Sequence, residues 1–475
     1  MNLSSLALPR RSKTALLASA TFFLVQIFSN SSGAQVQPDA WESAGAILLR
    51  IIPPSFPKND VDVVAWGARG DGTTDCSEAF RKAIDACVAS GGGRVVVPRG
   101  EFVTGPINLR SNINLYLSEG AVIKFDRNPR RYLPVVYTRW EGVECMNYSP
   151  FIYAFGQTNI GISGHGTLDG QASHEYWWPW NGKKDHGWKE GMPSQKPGRD
   201  KLLDMGQRGL PVEKRVLGEG YYLRPNFIQT YRCKNVLIEG VTIINSPMWE
   251  IHPVLCENVT IENVTINTHG PNNDGCDPES SKDVLIRNCS FDTGDDCIAI
   301  KSGRNNDGRR VNIPSENIIV QGCTFKDGHG AVTIGSEISG GARNIFAERC
   351  EAESPVLYSA LRIKSNAVRG GLVENVHVRN FIVKLVDRAV LDIDLFYEEG
   401  KNGNFLPTIR NISIDSMTVK TCKVAFNLVG YPEAPLRNIL LKNCDFREVT
   451  KGFKIANVCD FRMEQTSLNV KEFNP

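Results

Sequence analysis

The sequence carries almost no surplus charge. Its 54 Lys and Arg stand against 52 Asp and Glu, a formal net charge of +2, which excludes attraction to nucleic acid or to an anionic membrane through bulk charge. Any affinity for a polyanion must then come from a local basic site. Low-complexity and collagen-like tracts are missing, and so are the repeated long apolar runs of a multi-spanning membrane protein. What is present, 41% hydrophobic and 22% charged residues, is ordinary for a soluble globular chain and ample for a large core. A length of 475 residues would normally divide into about three domains, but a solenoid extends one core along an axis and escapes that division.

The N-terminus has its own layout: Arg10, Arg11 and Lys13, an apolar run from Ala15 to Phe28, then Ser32-Gly33-Ala34 before Gln35. Those are the three parts of a secretory signal, and the run is short of the about 20 residues that span a bilayer. The expectation is a signal over residues 1–34 and export to the extracellular space or cell wall, with a single-pass anchor formed by the same apolar segment as the alternative. Thirteen cysteines fit export, as do glycosylation sequons at Asn147, Asn258, Asn263, Asn288 and Asn411. An odd cysteine count leaves at least one thiol unpaired. Cys76 and Cys87 are poor partners, because one predicted helix holds them roughly 16 Å apart.

Residues 35–60, with Ile52-Pro53-Pro54-Ser55-Phe56-Pro57, read as a Pro-rich linker before an ordered domain over 61–475. Asp75 with Glu78 is a capping-box pattern, Phe80, Ile84 and Cys87 share one helical face, and Gly91-Gly92-Gly93 stops the helix. A single amphipathic helix ahead of a long β region predicts a cap over the open end of a solenoid. From about residue 112 a unit recurs in which Asn or Asp leads an alternating apolar run. It begins at Asn235, Asn258, Asp283, Asn317, Asn344, Asn375, Asn411 and Asn438, at spacings of 23 to 36 residues. The two-residue alternation identifies strands, and no single unit has enough apolar surface to stand alone, so stacking must bury the core. The repeated Asn is expected to form a structural ladder along the stack. One long irregular stretch, Gln171 to Pro225, holds Tyr176-Trp177-Trp178-Pro179-Trp180 and Trp188. These rings either anchor a loop or form a wall for sugar faces.

Three carboxylates lie in two adjacent units, Asp274 in Asn272-Asn273-Asp274-Gly275 and the pair Asp295-Asp296 after Gly294. Neighbouring residues on a strand face opposite ways, so two consecutive Asp must sit at a bend or bury a charge. Clustered like charges raise the pKa of at least one member, leaving a protonated acid beside ionised bases, as glycosidic cleavage requires. Turn formation or a calcium site is the bland alternative for each motif alone. The next unit has His329 between Gly328 and Gly330, placed to bond an acid or a sugar hydroxyl. Arg362-Ile363-Lys364 follows. Positions i and i+2 share a strand face, so both cations project together and suit a sugar carboxylate.

The order Asn-x-Asp-Gly, Gly-Asp-Asp, Gly-His-Gly, Arg-Ile-Lys resembles the polygalacturonases, the pectin-degrading glycoside hydrolases of family 28, over nearly the whole chain from about Val61. The first motif has Asn273 where many members carry Thr. It continues into Asp277-Pro278-Glu279-Ser280, as in members similar to exo-acting enzymes, which also carry a stretch like Trp249-Glu250-Ile251-His252-Pro253. By this resemblance His252 either lines the sugar site or is structural. The fold implied is all-β, a single-stranded right-handed parallel β-helix of the pectin lyase-like kind, with a short N-terminal helical cap. The activity implied is hydrolysis of α-1,4 bonds between galacturonic acid units, by inversion, in exo mode, and without metal or cofactor. Asp295 would be the general acid, Asp274 and Asp296 the bases for water, and His329 the partner that tunes the acid. Arg362, Lys364 and Tyr397 would contact a pectic polysaccharide or oligogalacturonide. The protein is expected to be a monomer. A calcium-dependent pectate lyase and a non-catalytic binder of acidic glycans are the alternatives.

Overall fold

Wherever the repeated unit occurs, its alternating apolar positions form a strand whose inner residues stack on those of the next rung. Lys234–Glu239, Glu257–Glu262, Lys282–Arg287 and Ser315–Gln321 pair in parallel, with Val236 beside Val259, Val284 and Ile318 in turn. All four of these side chains are buried. The series continues into a 13-stranded parallel sheet. The return strands keep the same rung order, Thr242–Ile244 pairing with Thr265–Thr268 and that strand with Ser290–Thr293. Parallel strands joined by one-directional crossovers make a right-handed parallel β-helix. The computed structural model describes residues 40–471, so the expected signal over 1–34 lies outside the described residues.

The Asn ladder forms as expected. Asn235, Asn258, Asn317, Asn344, Asn375, Asn411 and Asn438 all adopt positive φ between 53° and 59°, a region Asn tolerates better than other side chains. Each donates its amide to the residue one rung earlier, as from Asn344 to Asn317 at 3.0 Å and from Asn375 to Asn344 at 3.1 Å. Asp283 interrupts the series, since a carboxylate accepts from Asn317 but has no hydrogen for Asn258.

The expected linker holds a helix, α1 (Ala40–Leu48), and this corrects the reading of residues 35–60. Its Ala44 and Ile47, with Ile51, bury against Leu285, Ile319 and Phe346 on the outer face of the long sheet. Trp41 meets Phe346 edge-on and lies under Arg379. The segment docks where the ladder breaks. Arg50 reaches Asp283 Oδ1 at 3.0 Å, and the backbone of Ile52 exchanges two hydrogen bonds with the Asn258 amide, at 3.0 and 2.8 Å. The proline signal marked the extended stretch after the helix, while the apolar face of α1 was too short to register as a periodicity.

The cap is α2 (Ser77–Ala89), which buries Phe80, Ala83, Ile84 and Cys87 over the first rungs. No capping box forms. Asp75 accepts from Ser77 instead, and Glu78 pairs with Arg81. All thirteen cysteines are free and twelve are buried, where they act as small apolar residues. Trp177 and Trp178 are buried anchors. The first packs on Tyr132 and Phe151, and the second donates to the Ser246 carbonyl, so the loop-anchor reading holds for them. Among the sequons, Asn147 is a correction: it is 1% exposed and its amide is held by the Leu223 carbonyl. The Asn258 and Asn411 amides are committed to the ladder, while Asn263 and Asn288 are exposed. Among the described residues no helix is long and apolar enough to cross a membrane.

Ile47→Ala is expected to loosen only the docked segment, by about 2–4 kcal/mol. Faster amide exchange over residues 40–52, with unchanged turnover and unchanged exchange in the long sheet, is the outcome that checks it.

Candidate active site

The strand Ser290–Thr293 ends before Asp295, and Ile298–Ile300 begins after Cys297, so the acid pair occupies the corner between two faces. Cys276 pairs with Ile298, which pairs with Val332. Two residues before each of these stand Asp274, Asp296 and Gly330, so the first two carboxylates stack rung on rung. The third position must be glycine: a Cβ at Gly330 would come within 2.2 Å of Thr333 Oγ1. Gly328 is similarly constrained, by φ +147° and by the Asp295 carbonyl. These two glycines let the His329 backbone close on Asp295, whose carbonyl accepts from the His329 N–H at 3.0 Å.

The four expected catalytic side chains come together. Oxygen atoms of Asp274, Asp295 and Asp296 lie within 4.8 Å of one another. His329 Nδ1 is 2.8 Å from Asp295 Oδ1, and its ring stacks on Tyr358 at 4.6 Å. Tyr358 is covered on its face by Arg388, at 3.7 Å. Asp296 is fully buried, accepting from Thr333 at 2.9 Å and from Lys364 Nζ at 2.6 Å. The expected binding residues follow on the next rungs. Ile363 points into the core, and Arg362 and Lys364 project outward, with their cationic groups 5.7 and 5.2 Å from the Tyr397 ring centre. Lys364 is not a free receptor, since its ammonium is already paired with Asp296. Arg362 is the less committed cation, 3.4 Å from Asp392 and 14% exposed.

His252 is buried, 2.8 Å from Glu279 and bonded through Nδ1 to Asn226 and Gln229, beneath Trp249. This is a structural position rather than a site lining. Sequence reasoning missed Lys301, whose ammonium is 3.5 Å from Asp274 and 3.3 Å from Glu337. The alternation in Ile298-Ala299-Ile300-Lys301 carried the signal, since it puts Lys301 on the outward face as it does Lys364. Arg224 was missed as well. It is buried without a carboxylate partner, donating to the carbonyls of Pro247 and Pro271 and to Gln195 and Asn272, and burial brings its pKa down to about 9.

Protonation in the resting site differs from the simple expectation of a neutral Asp295. Burial alone would raise Asp295, but the hydrogen bond and charge of His329, with Lys364 and Lys301, hold it well below the usual carboxyl range. His329 moves the other way: burial disfavours its cation, yet Asp295 and then Asp296 carry it above the ordinary imidazole value. The pair therefore keeps its proton on the imidazole. Asp274 is raised, by burial first and by Asp295 and Asp277 next. The trio could geometrically hold a cation, but Lys301, Lys364 and His329 already answer its charge. Among the described residues a second such group, His269 with Asp292 and Asp327, lies on the exposed flank.

An ion-paired network reaches the site through Glu337, which Lys301 and Arg304 both contact at 3.3 Å. The hairpin Val136–Trp140 with Val143–Asn147 places Glu141 at its turn, 2.6 Å from Arg199 of α3 (Lys196–Gln207) and 3.4 Å from Arg304. Arg304 also pairs with Glu337 at 3.3 Å and leads α4 (Asn305–Val311), whose Asp307 accepts from the Glu144 N–H. The insertion from 171 to 225 is thereby fixed to the rungs that carry Asp296 and His329.

In Asp295→Asn the His329 pKa is expected to fall, because burial remains and the larger of the two carboxylate contributions that raise it is gone. An NMR titration of the imidazole protons reads this directly. The linked stability has the same sign. In the wild type the stabilisation by the pair is complete between the ordinary carboxyl and ordinary imidazole values, and is lost as pH rises through the raised His329 value or falls through the lowered Asp295 value.

Residues 218–466 match Glycosyl hydrolases family 28. Among solved structures, the hyperthermoactive exopolygalacturonase from Thermotoga maritima is 46% identical with a TM-score of 0.85, over 90% of this chain and 95% of that one. A probable polygalacturonase of Vitis vinifera is 28% identical over 84% of this chain and 77% of its own length. An exo-poly-alpha-D-galacturonosidase of Dickeya chrysanthemi is 28% identical over 75% of this chain and 62% of its own length. With the rung-stacked trio, the His329 partner and the paired cations in place, the chain belongs to family 28 of the glycosyl hydrolases.

Proposed function

We propose that this protein is a secreted, monomeric exo-polygalacturonase that removes galacturonate from the end of α-1,4-linked pectic chains. The observation that carries this reading is the trio Asp274, Asp295 and Asp296, packed within 4.8 Å and flanked by Arg362, Lys364 and Tyr397. An acid, a base and a cationic receptor are the parts that hydrolysis of a uronic acid glycoside needs. Exo action is supported by the ion pairs of Glu141 with Arg199 and Arg304, which tie the insertion to the rungs beside the site, and by the 46% identity to an exopolygalacturonase. Glycosylation, if the exported chain carries it, belongs on exposed Asn263 and Asn288.

In this reading the proton passes from His329 Nδ1 to Asp295, and Asp295 delivers it to the glycosidic oxygen as the bond to the anomeric carbon breaks. Entry of the substrate carboxylate adds negative charge beside Asp295, which raises its proton affinity when the proton is needed. Asp274 and Asp296 take a proton from the attacking water. Inverting enzymes usually separate their carboxyls by about 6.5–9.5 Å, wider than the spacing here. What favours a water nucleophile is that both bases are tethered to lysines, so neither is free to swing onto the sugar. Arg362 holds the carboxylate, helped by Lys364 once the substrate competes with Asp296. A calcium-dependent lyase is disfavoured by ammonium groups occupying the charge that a divalent ion would fill.

With chelator present, de-esterified polygalacturonate is expected to yield saturated galacturonate monomer from the first time points, as the β-anomer by NMR. A ladder of oligomers would replace exo with endo action, and unsaturated products or no release would reject hydrolysis. Asp295→Asn should lower kcat by about 10²–10⁴-fold with little change in KM. Arg362→Ala should raise KM as well as lower kcat, which steady-state kinetics on oligogalacturonides would show.

A further inference from the structure

Directly behind the trio lies a group of charges that the reaction above leaves unused. The Lys301 ammonium is 3.5 Å from Asp274 Oδ2, 3.5 Å from Asp277 Oδ1 and 3.3 Å from Glu337 Oε2, and covers the Trp249 ring at 4.4 Å. Glu337 has a second cation in Arg304, at 3.3 Å. Lys301 is thus left with one positive charge for Asp274 and Asp277 together, both almost wholly buried. Two ionised carboxylates and one ammonium in a dry site leave an uncompensated charge.

Hydrogen bonding fails at the same place. Asp274 Oδ1 and both carboxyl oxygens of Asp277 are buried and receive no hydrogen-bond donor, although both carboxyl groups meet the same Lys301 ammonium at 3.5 Å. Neither carboxylate can satisfy the other, because neither has a hydrogen to give. A single shared proton supplies the missing donor and removes the excess charge.

We propose that Asp277 is the protonated half of a carboxyl pair with Asp274, giving its O–H to Asp274 while Lys301 keeps Asp274 ionised and oriented toward water. Asp277 and Lys301 are then positioning residues for the water-activating base, and the inference rests on the reading of Asp274 as that base. The proton settles on Asp277 because it is the deeper side chain, 0% exposed against 4% for Asp274. An ionised Asp277 would also be opposed by Glu250, a fully buried acid with no donor of its own, and by Glu279, which Arg139 answers at 3.3 Å while burial favours the neutral form of His252. The remaining acidic neighbours of Asp274, Asp295 and Asp296, are paired with His329 and Lys364. Burial puts both members of the pair well above the usual carboxyl range, against the opposing charge of Lys301.

The test compares the pH dependence of kcat/KM for Asp277→Asn and Asp277→Leu. A side-chain amide donates as a protonated carboxyl does and carries no charge. The Asn variant should therefore keep the acidic limb of the profile in place and kcat within a few-fold of wild type. The Leu variant removes the donor: its acidic limb should move to higher pH, and kcat should fall about tenfold or more with KM unchanged. An Asn limb displaced to lower pH would mean that Asp277 is charged in the wild type and would overturn the proposal. So would a Leu variant that matches wild type. If neither variant folds, infrared spectra of the full chain read the protonated-carboxyl stretch. One neutral carboxyl should persist at neutral pH after Glu250→Gln removes the other, and its absence there would overturn the pair. The infrared reading needs no turnover, so it separates failure of the pair from failure of the polygalacturonase assignment, which the wild-type product assay reports.

Discussion

Parallel strands stacked in register are the constraint on which everything else in this molecule depends. Once Val236, Val259, Val284 and Ile318 share one inward column, each residue's neighbours above and below are set by register, at about 4.8 Å. Chemistry separated by a rung length in sequence then becomes contact in space. Asp274 and Asp296 meet this way, as do Asp296 and Lys364 across two further rungs. The register also explains the glycines of the third motif, because a side chain at Gly330 would occupy the space that Thr333 and Asp296 already fill.

A stack that brings like residues together must manage like charges. On the outer turn the problem is avoided by Asn, which can both donate and accept and so runs from rung to rung without charge. At Asp283 that device fails, and the N-terminal segment compensates with Arg50 and the Ile52 backbone. In the site the carboxylates cannot be dispensed with, so cations are interleaved: Lys301 beside Asp274, Lys364 on Asp296, and His329 on Asp295. The arrangement leaves the resting proton on His329 and Asp295 as an anion, and in the proposed mechanism the charge of the substrate draws that proton onto Asp295. The ion-paired network through Glu141, Arg199 and Arg304 belongs to the same economy, since it joins the insertion to the rungs by the groups that neutralise Glu337.

Much of this was written in local pattern. The two-residue alternation and the recurring Asn identified strands, rungs and the ladder, because side-chain direction on a strand depends only on sequence position. The corner at Asp295-Asp296 followed from the cost of burying one of two adjacent charges, and the outward pairing of Arg362 and Lys364 from Ile363 between them. The four motifs in order were enough to indicate the site and its family resemblance. Less was legible where the outcome depended on partners far along the chain. Helix α1 was hidden in an apparent linker because its stability comes from Leu285, Ile319 and Phe346. The sequon at Asn147 looked like any other until its amide met the Leu223 carbonyl.

The sequence by itself determined the solenoid, the cap and the set of chemical groups, since these rest on periodicity, turn chemistry and residue type within one or two rungs. Only the tertiary structure decided which of those groups are charged and which are free. Lys364 is committed to Asp296, His252 is sealed beneath Trp249, and Lys301 stands between Asp274 and Asp277. Protonation and pairing are set by burial and by neighbours brought close from distant rungs, and those distances exist only after the coil has closed.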